Sequence, residues 1–231
     1  MLFRSVAKVQ NNKYYFEYFT QYFHLSSLSA LFCTFAVGLS EYVFVKYLIA
    51  GLGNIGDEYA NTRHNIGFMM LDRLAADEKF EFADKRYGFV AEYKYKGRIF
   101  ILLKPSTYMN LSGRAGNYWL QKEKIEIDHL LVLVDDIALP FGALRLKGKG
   151  GDGGHNGLRN INEVLGTQDY ARLRFGVGSD FSEGRQVDYV LSEWSEEEGK
   201  TLPDRFKLTS DMIRSFGTIG LERTMNFFNN K

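Results

Sequence analysis

One cysteine, Cys33, stands in 231 residues. A single thiol excludes an internal disulfide framework and most cysteine-based metal sites, and it fits a reducing cytoplasm. No sign of charge predominates, because the formal net charge is only +1. No global field therefore attracts nucleic acid, and a polyanion site has to come from local clustering of cations. A confident membrane span is missing: the apolar run LSALFCTFAVGL is too short. Ser106 and Ser112 lack the G-x-S-x-G context of a nucleophile elbow. Neither an internal repeat nor a low-complexity linker interrupts the chain. What remains is 45% hydrophobic, enough for one substantial core, and a single α/β domain is the natural expectation.

Residues 1–45 differ from the rest in being rich in Tyr, Phe and Leu, with no glycine before Gly38. A signal-peptide core is one reading, but the basic start is thin, Glu17 interrupts it and no A-x-A cleavage signature follows. A second is a mis-assigned start, with translation beginning near Val45, since no Met lies between Met1 and Met69. A third is a genuine extra element. The domain proper is expected over 46–231.

KYLIAGL reads as a buried strand and residues 66–77 as a helix. VAEYKY and RIFILLK form a hairpin around Lys96–Gly97. A helix follows Ser112, LLVLVDD is a buried strand, ALRLKG a short strand, LRNINEVLG a helix stopped by Gly166, ARLRFGVG a strand, and a C-terminal helix begins at Pro203, weakened by Gly217 and Gly220. Alternating strands and helices imply a sheet sandwiched between helices, and the hairpin makes that sheet mixed.

Gly51, Gly53 and Gly56 stand in G-x-G-x-x-G spacing. A dinucleotide loop requires a helix directly after the glycines, whose amides hold the pyrophosphate. Here the polar stretch DEYANTRHN intervenes, and the region where a second acidic strand end is due reads as helix. The nucleotide reading is disfavoured, and no cofactor is expected. The stretch is instead a long loop at a strand's carboxyl end, carrying Asn54, Tyr59, Arg63, His64 and Asn65. Three more strand-end loops hold Met109 and Asn110, Asp135 and Asp136, and His155 and Asn156. Asparagines offer both donors and an acceptor without charge. Several of them around one histidine suit a neutral amide or ester, and no metal is expected. Singly, Asn110 and Asn156 read more readily as helix caps, and Asp135 and Asp136 as a turn; it is their coincidence with His64 on successive strand-end loops that shifts the balance. Lys147 and Lys149 lie in a glycine loop, and Arg172 and Arg174 share one face of a strand. Arg159 and Arg185 extend this cationic area or are ordinary solvated charges.

The motifs GLGNIGDEYANTRHNIGF, KPSTYMNLSG, VDDIALPFG, KGKGGDGGHNGLRNI and RLRFGVG occur in that order. Together they resemble the bacterial-type peptidyl-tRNA hydrolases over about residues 46–228. The resemblance implies a monomeric, cytoplasmic α/β enzyme that cleaves the ester between peptide and tRNA; a noncatalytic RNA-binding relative is the alternative. It implies His64 as catalytic histidine with Asp135 as its partner. Asn54, Tyr59, Met109, Asn110 and Asn156 are the implied substrate-binding residues, and Lys147 and Arg174 the implied holders of the tRNA's terminal phosphate. Three positions depart from the family pattern: Ile55 in place of a proline, Val134 in place of a polar residue, and Ala138 in place of a carboxylate.

Overall fold

A computed structural model describes residues 45–229. The readings of residues 1–45 as an extension or leader thus fall outside the described residues, apart from Val45. Seven strands form one sheet in the order β2-β3-β4-β1-β5-β7-β6. They are β1 (Val45–Gly51), β2 (Ala83–Lys85), β3 (Gly88–Tyr95), β4 (Arg98–Pro105), β5 (Leu130–Asp136), β6 (Leu144–Lys147) and β7 (Ala171–Gly176). The central β4-β1-β5-β7 strands run parallel, while β2, β3 and β6 pair antiparallel. The mixed sheet expected from the hairpin is present. The composition of the strands follows their place: LLVLVD of β5 is buried on both faces, as a central parallel strand requires, whereas β3 alternates buried and exposed positions near the edge.

Among the described residues six α-helices accompany the sheet: α1 (Ile66–Glu78), α2 (Ser112–Glu123), α3 (Asn156–Leu165), α4 (Gln186–Val190), α5 (Glu196–Ile219) and α6 (Leu221–Phe228). One core layer holds Leu71 and Leu74 of α1 with Met212, Ile213 and Phe216 of α5. On the other face, Trp119 of α2 and Leu158 and Ile161 of α3 pack on Leu48, Ala50 and Val132. Val134 belongs to that second layer at 1% exposure, which is why an apolar side chain stands there.

The glycine question has a packing answer. A Cβ at Gly51 would lie 2.3 Å from the Gly67 carbonyl oxygen, and one at Gly67 would lie 2.4 Å from the Leu52 amide nitrogen. The two glycines let β1 and α1 touch backbone to backbone, and the loop between them is freed for other use. At the other end of the chain the C-terminal helix starts earlier than expected. Ser195 caps it in a reciprocal box with Glu198, and Glu196–Glu198 favour its positive end. It breaks at Gly220, φ 84°, into α5 and α6. The helix runs on through Gly217, where a Cβ would meet Phe100 Cζ at 2.4 Å. Periodicity misses β2 and α4, which have three and five residues.

Candidate active site

The loop after β1 turns back on itself before α1 begins. Its shape is set by Asn65, whose Oδ1 accepts from the Asn54 amide and whose Nδ2 donates to the Asn54 carbonyl, both at 2.8 Å. Asn65 is 2% exposed, so these bonds are shielded from water. They leave the Asn54 side chain free in the cleft. Arg63 fixes the same loop from the other side. Its guanidinium donates to Ser192 Oγ at 2.7 Å, to the Glu193 carbonyl, and to Glu198 Oε2 at 2.7 Å, with its carbon 4.6 Å from the Tyr189 ring centre. His64 is held between these two anchors.

Asp135 is the penultimate residue of β5, which lies between β1 and β7, and its side chain is 4% exposed. Its Oδ1 accepts from His64 Nδ1 at 2.9 Å and from His155 Nε2 at 3.0 Å. The sequence predicts one imidazole in this crevice; there are two, with ring centres 4.7 Å apart. His155 is also the N-cap of α3, its Nδ1 accepting from the amides of Gly157 at 3.1 Å and Leu158 at 3.3 Å. That assigns its tautomer: Nδ1 is an acceptor, so the proton is on Nε2 and points at Asp135. Neutral His64 correspondingly carries its proton on Nδ1, which leaves Nε2 with a lone pair and no hydrogen-bond partner among the described residues. Burial alone would push the Asp135 carboxyl upward, but the two imidazoles outweigh it and hold Asp135 well below the ordinary carboxylate range. Burial pulls His64 down; the charge and hydrogen bond of Asp135 prevail, so His64 ends above its usual value.

A cleft of about 810 Å³ opens beside this trio. Asn54, His64, Met109, Asp135, Asn156, Lys147 and Arg174 line it, joined by His155 and by Val187, Val190 and Leu191 of the α4 wall. Tyr59 and Asn110 stand outside that lining, the first half-buried and the second exposed. Neither Asn110 nor Asn156 caps a helix: Leu111 precedes α2 with no side-chain bond, and the cap of α3 is His155. Asn156 accepts from Arg159 Nη1 at 3.4 Å.

The cationic residues divide. Lys147 and Lys149 border the cleft without a carboxylate partner among the described residues. Arg174 Nε is bonded to Asp136 Oδ2, and its two terminal nitrogens carry no hydrogen bond among the described residues. Arg172, expected with Arg174 in the cationic area, is buried: at 1% exposure it donates to the carbonyls of Gly150, Gly151 and Gln168 at 2.6, 2.9 and 2.9 Å. Its guanidinium holds the glycine loop at the edge of the cleft. Arg159 and Arg185 each face an acid, Asp152 at 3.8 Å and Asp188 at 2.9 Å. Ile55 is an exposed loop residue, and the amide of Ala138 closes the turn on Asp136 Oδ1 at 2.8 Å.

Sequence reasoning gives too little weight to Asn65 and His155. Both sit inside motifs that carry other site residues, RHN and GGHNG. The signal for His155 is its place one residue before a helix whose first amides need an acceptor.

A mixed α/β sheet whose strand ends gather a buried carboxylate, two histidines, two asparagines and several cations around one cleft has the groups of a hydrolytic site. The comparisons give the family. A family profile described as peptidyl-tRNA hydrolase matches residues 48–231. The peptidyl-tRNA hydrolase of Phocaeicola vulgatus is 59% identical over 187 residues, 81% of this chain and 100% of that protein. That of Bacteroides fragilis is 57% identical over the same coverage. The crystal structure of peptidyl-tRNA hydrolase from Acinetobacter baumannii superposes with a TM-score of 0.74 at 32% identity, over 79% of this chain and 94% of that one. The chain belongs to the peptidyl-tRNA hydrolase family, and its activity is hydrolysis of peptidyl-tRNA.

Proposed function

We propose that His64 is the general base of this hydrolysis. The observation that carries the assignment is its bonding: Nδ1 donates to Asp135 at 2.9 Å, and Nε2 is left to face the cleft. Nε2 takes a proton from water as the oxygen attacks the ester carbonyl. The resulting imidazolium is stabilised by Asp135. It then returns the proton to the departing ribose oxygen, so water is divided between the peptide acid and the tRNA hydroxyl. General-base help of this kind is worth typically ~10²–10⁴-fold. An ester leaves more readily than an amide, so no covalent enzyme intermediate is required.

Asn54 is the oxyanion donor. Between the two asparagines the sequence left open, Asn54 lines the cleft with its amide unengaged and its backbone clamped by Asn65, whereas Asn110 stands outside. A preorganised donor of this type contributes about 3 kcal/mol to the transition state. Asn156 and Met109 hold the peptide backbone and the adjoining side chain. His155 is a positioning residue that keeps Asp135 charged and aimed.

Lys147, Lys149 and Arg174 receive the tRNA's terminal phosphate. Asp136 grips Arg174 by its Nε edge, so the outer fork of the guanidinium is presented to an anion. The protein acts as a monomer in the cytoplasm. Among the described residues no helix is long and apolar enough to cross a membrane. The noncatalytic alternative gains no support from a site whose histidine and carboxylate are both in place.

The test is release of peptide from an N-blocked aminoacyl-tRNA, with free aminoacyl-tRNA as control. Rapid release from the blocked substrate and little from the free one is expected. Equal rates on both would contradict recognition of the peptide backbone by the asparagines.

A further inference from the structure

Away from the cleft, at the β2–β3 turn, three cations surround three aromatic rings. Arg86 lies 5.0 Å from the Tyr87 ring centre and 5.2 Å from that of Tyr118. Arg114 lies 4.9 Å from Tyr87, and Lys122 lies 4.0 Å from Trp119. Tyr87 meets Tyr118 edge-on at 5.3 Å, and Tyr118 meets Trp119 edge-on at 5.6 Å. Arg114, Tyr118 and Lys122 stand at i, i+4 and i+8, so they form one stripe along about 12 Å of α2.

Two features separate this cluster from ordinary solvated charge. Arg86, Arg114 and Lys122, with Lys85 beside them, have no carboxylate within 4.0 Å among the described residues; Lys79, Lys124 and Lys207 share that, but only in this cluster do three such cations stand over adjoining rings. The second is backbone strain. Tyr87 has φ 66°, a conformation that a bulky side chain rarely adopts and that Gly or Asn would hold at lower cost. It is fixed there by Trp119 Nε1, which donates to the Arg86 carbonyl at 3.0 Å, and by the Ser106 amide, which donates to the Tyr87 carbonyl at 3.0 Å. The turn holds the tyrosine ring within 5.0 Å of two guanidinium carbons.

The register places this cluster relative to the active site. Gly88 is level with Pro105 of β4, and Leu103 is level with Ala50 of β1. The turn therefore lies at the sheet end where the strands carrying Asn54 and Asp135 terminate. Arg174 alternates with Leu173 and Phe175 and shares its face with Tyr170, which packs in the same core layer as Trp119. Both cationic areas are thus on one face of the sheet. β3 and β7 are four strand spacings apart in the sheet order, roughly 19 Å.

We propose that this cation–aromatic cluster is a second RNA contact, receiving the phosphodiester backbone of the tRNA on the far side of the α2–α3 layer from Lys147 and Arg174. The proposal rests on tRNA being part of the substrate, not on the role of His64. Guanidiniums stacked on rings keep their N–H edges outward and give up little further freedom on binding phosphate. Several unpaired cations in a line suit a polyanion better than a single carboxylate, and such contacts position RNA without reading its sequence.

The experiment compares the wild type with Arg86→Gln/Arg114→Gln/Lys122→Gln on N-blocked aminoacyl-tRNA over a salt series, with acidic, neutral and basic peptides on one tRNA. The triple variant is expected to raise KM about tenfold at moderate salt, with the loss falling on KM and not on kcat. Its log KM against log salt slope should fall by about 2, which is about 0.7 for each phosphate no longer neutralised. The three peptides should behave alike. An unchanged KM and slope would overturn the proposal, and so would an effect that follows peptide charge, which would make the cluster a peptide dock. Lys147→Ala/Arg174→Ala run in parallel tests the cleft's phosphate reading separately. If the triple variant lost its cooperative melt, Arg86→Gln alone carries the comparison, with a slope change of about 0.7.

Discussion

A buried carboxylate beside two imidazoles is subject to opposed influences. Burial disfavours the charge of Asp135, and the two N–H donors on its Oδ1 restore it. The same contact acts on His64 in reverse, raising it above its ordinary value. The signs fix a pH window. Stability from the raised His64 is fully present below ~6.5 and fades as pH climbs through the folded value. Stability from the depressed Asp135 is present above ~3.9 and is lost as pH falls toward its folded value. Activity needs His64 neutral, so kcat/KM is expected to rise with pH through a midpoint above ~6.5. In Asp135→Asn the negative charge is gone, and that midpoint moves down. Turnover falls too, by less than the ~10²–10⁴-fold that loss of the base itself would cost. A pH–rate profile on both proteins checks this, and an unmoved midpoint would separate Asp135 from the base. Most of these residues are legible in the sequence because their motifs carry the chemistry directly: His64, Asp135, Asn54, Met109, Asn156, Lys147 and Arg174 do converge on one cleft. Arg172 reads as a partner of Arg174 in the cationic area because alternation along a strand reports which face a side chain takes, not whether that face is buried. His155 and Asn65 give a weak signal because their partners, an aspartate oxygen and a distant loop amide, are tertiary.

Elements place these residues through contacts that periodicity does not encode. The long loop after β1 is possible because Gly51 and Gly67 bring strand and helix into backbone contact, leaving the intervening residues to fold over the carboxyl end. Gly67→Ala would drive a methyl group to 2.4 Å from Leu52 backbone atoms. Overpacking against backbone that cannot yield should destabilise the fold by roughly 3 kcal/mol. A denaturant melt measures it; a loss under about 1 kcal/mol would show that the approach is not needed. Strand and helix order is readable from apolar runs, down to the stop of α3 at Gly166. The early start of α5 is not, since its first turn is all glutamate and its anchor is the Ser195–Glu198 box together with Arg63. That ion pair ties the start of α5 to the residue preceding His64 and steadies α4, the wall of the cleft. The three-residue β2 and five-residue α4 are too short for periodicity to register.

At the scale of the whole molecule, a chain with net charge +1 serves a polyanionic substrate by local concentration. Many of its cations are neutralised by neighbours, and among the unpaired ones of the described residues some stand together beside the cleft and others over the rings at the β2–β3 turn. Lys147→Ala/Arg174→Ala should therefore raise KM for peptidyl-tRNA and reduce its salt slope by about 1–2 while leaving the chemical step largely intact. KM measured across a salt series reads this out, and an unchanged slope would remove both residues from the interface. Net charge alone does not reveal this separation, because it depends on which cations meet an acid after folding.

The central claim is that one imidazole nitrogen, freed by the bond of its ring partner to Asp135, activates the attacking water. Single-turnover hydrolysis of an N-blocked aminoacyl-tRNA by His64→Ala tests it most directly, with tRNA binding measured alongside. The account predicts that cleavage falls by at least ~10²-fold while tRNA affinity changes little. A single-turnover rate near that of the wild type would contradict it.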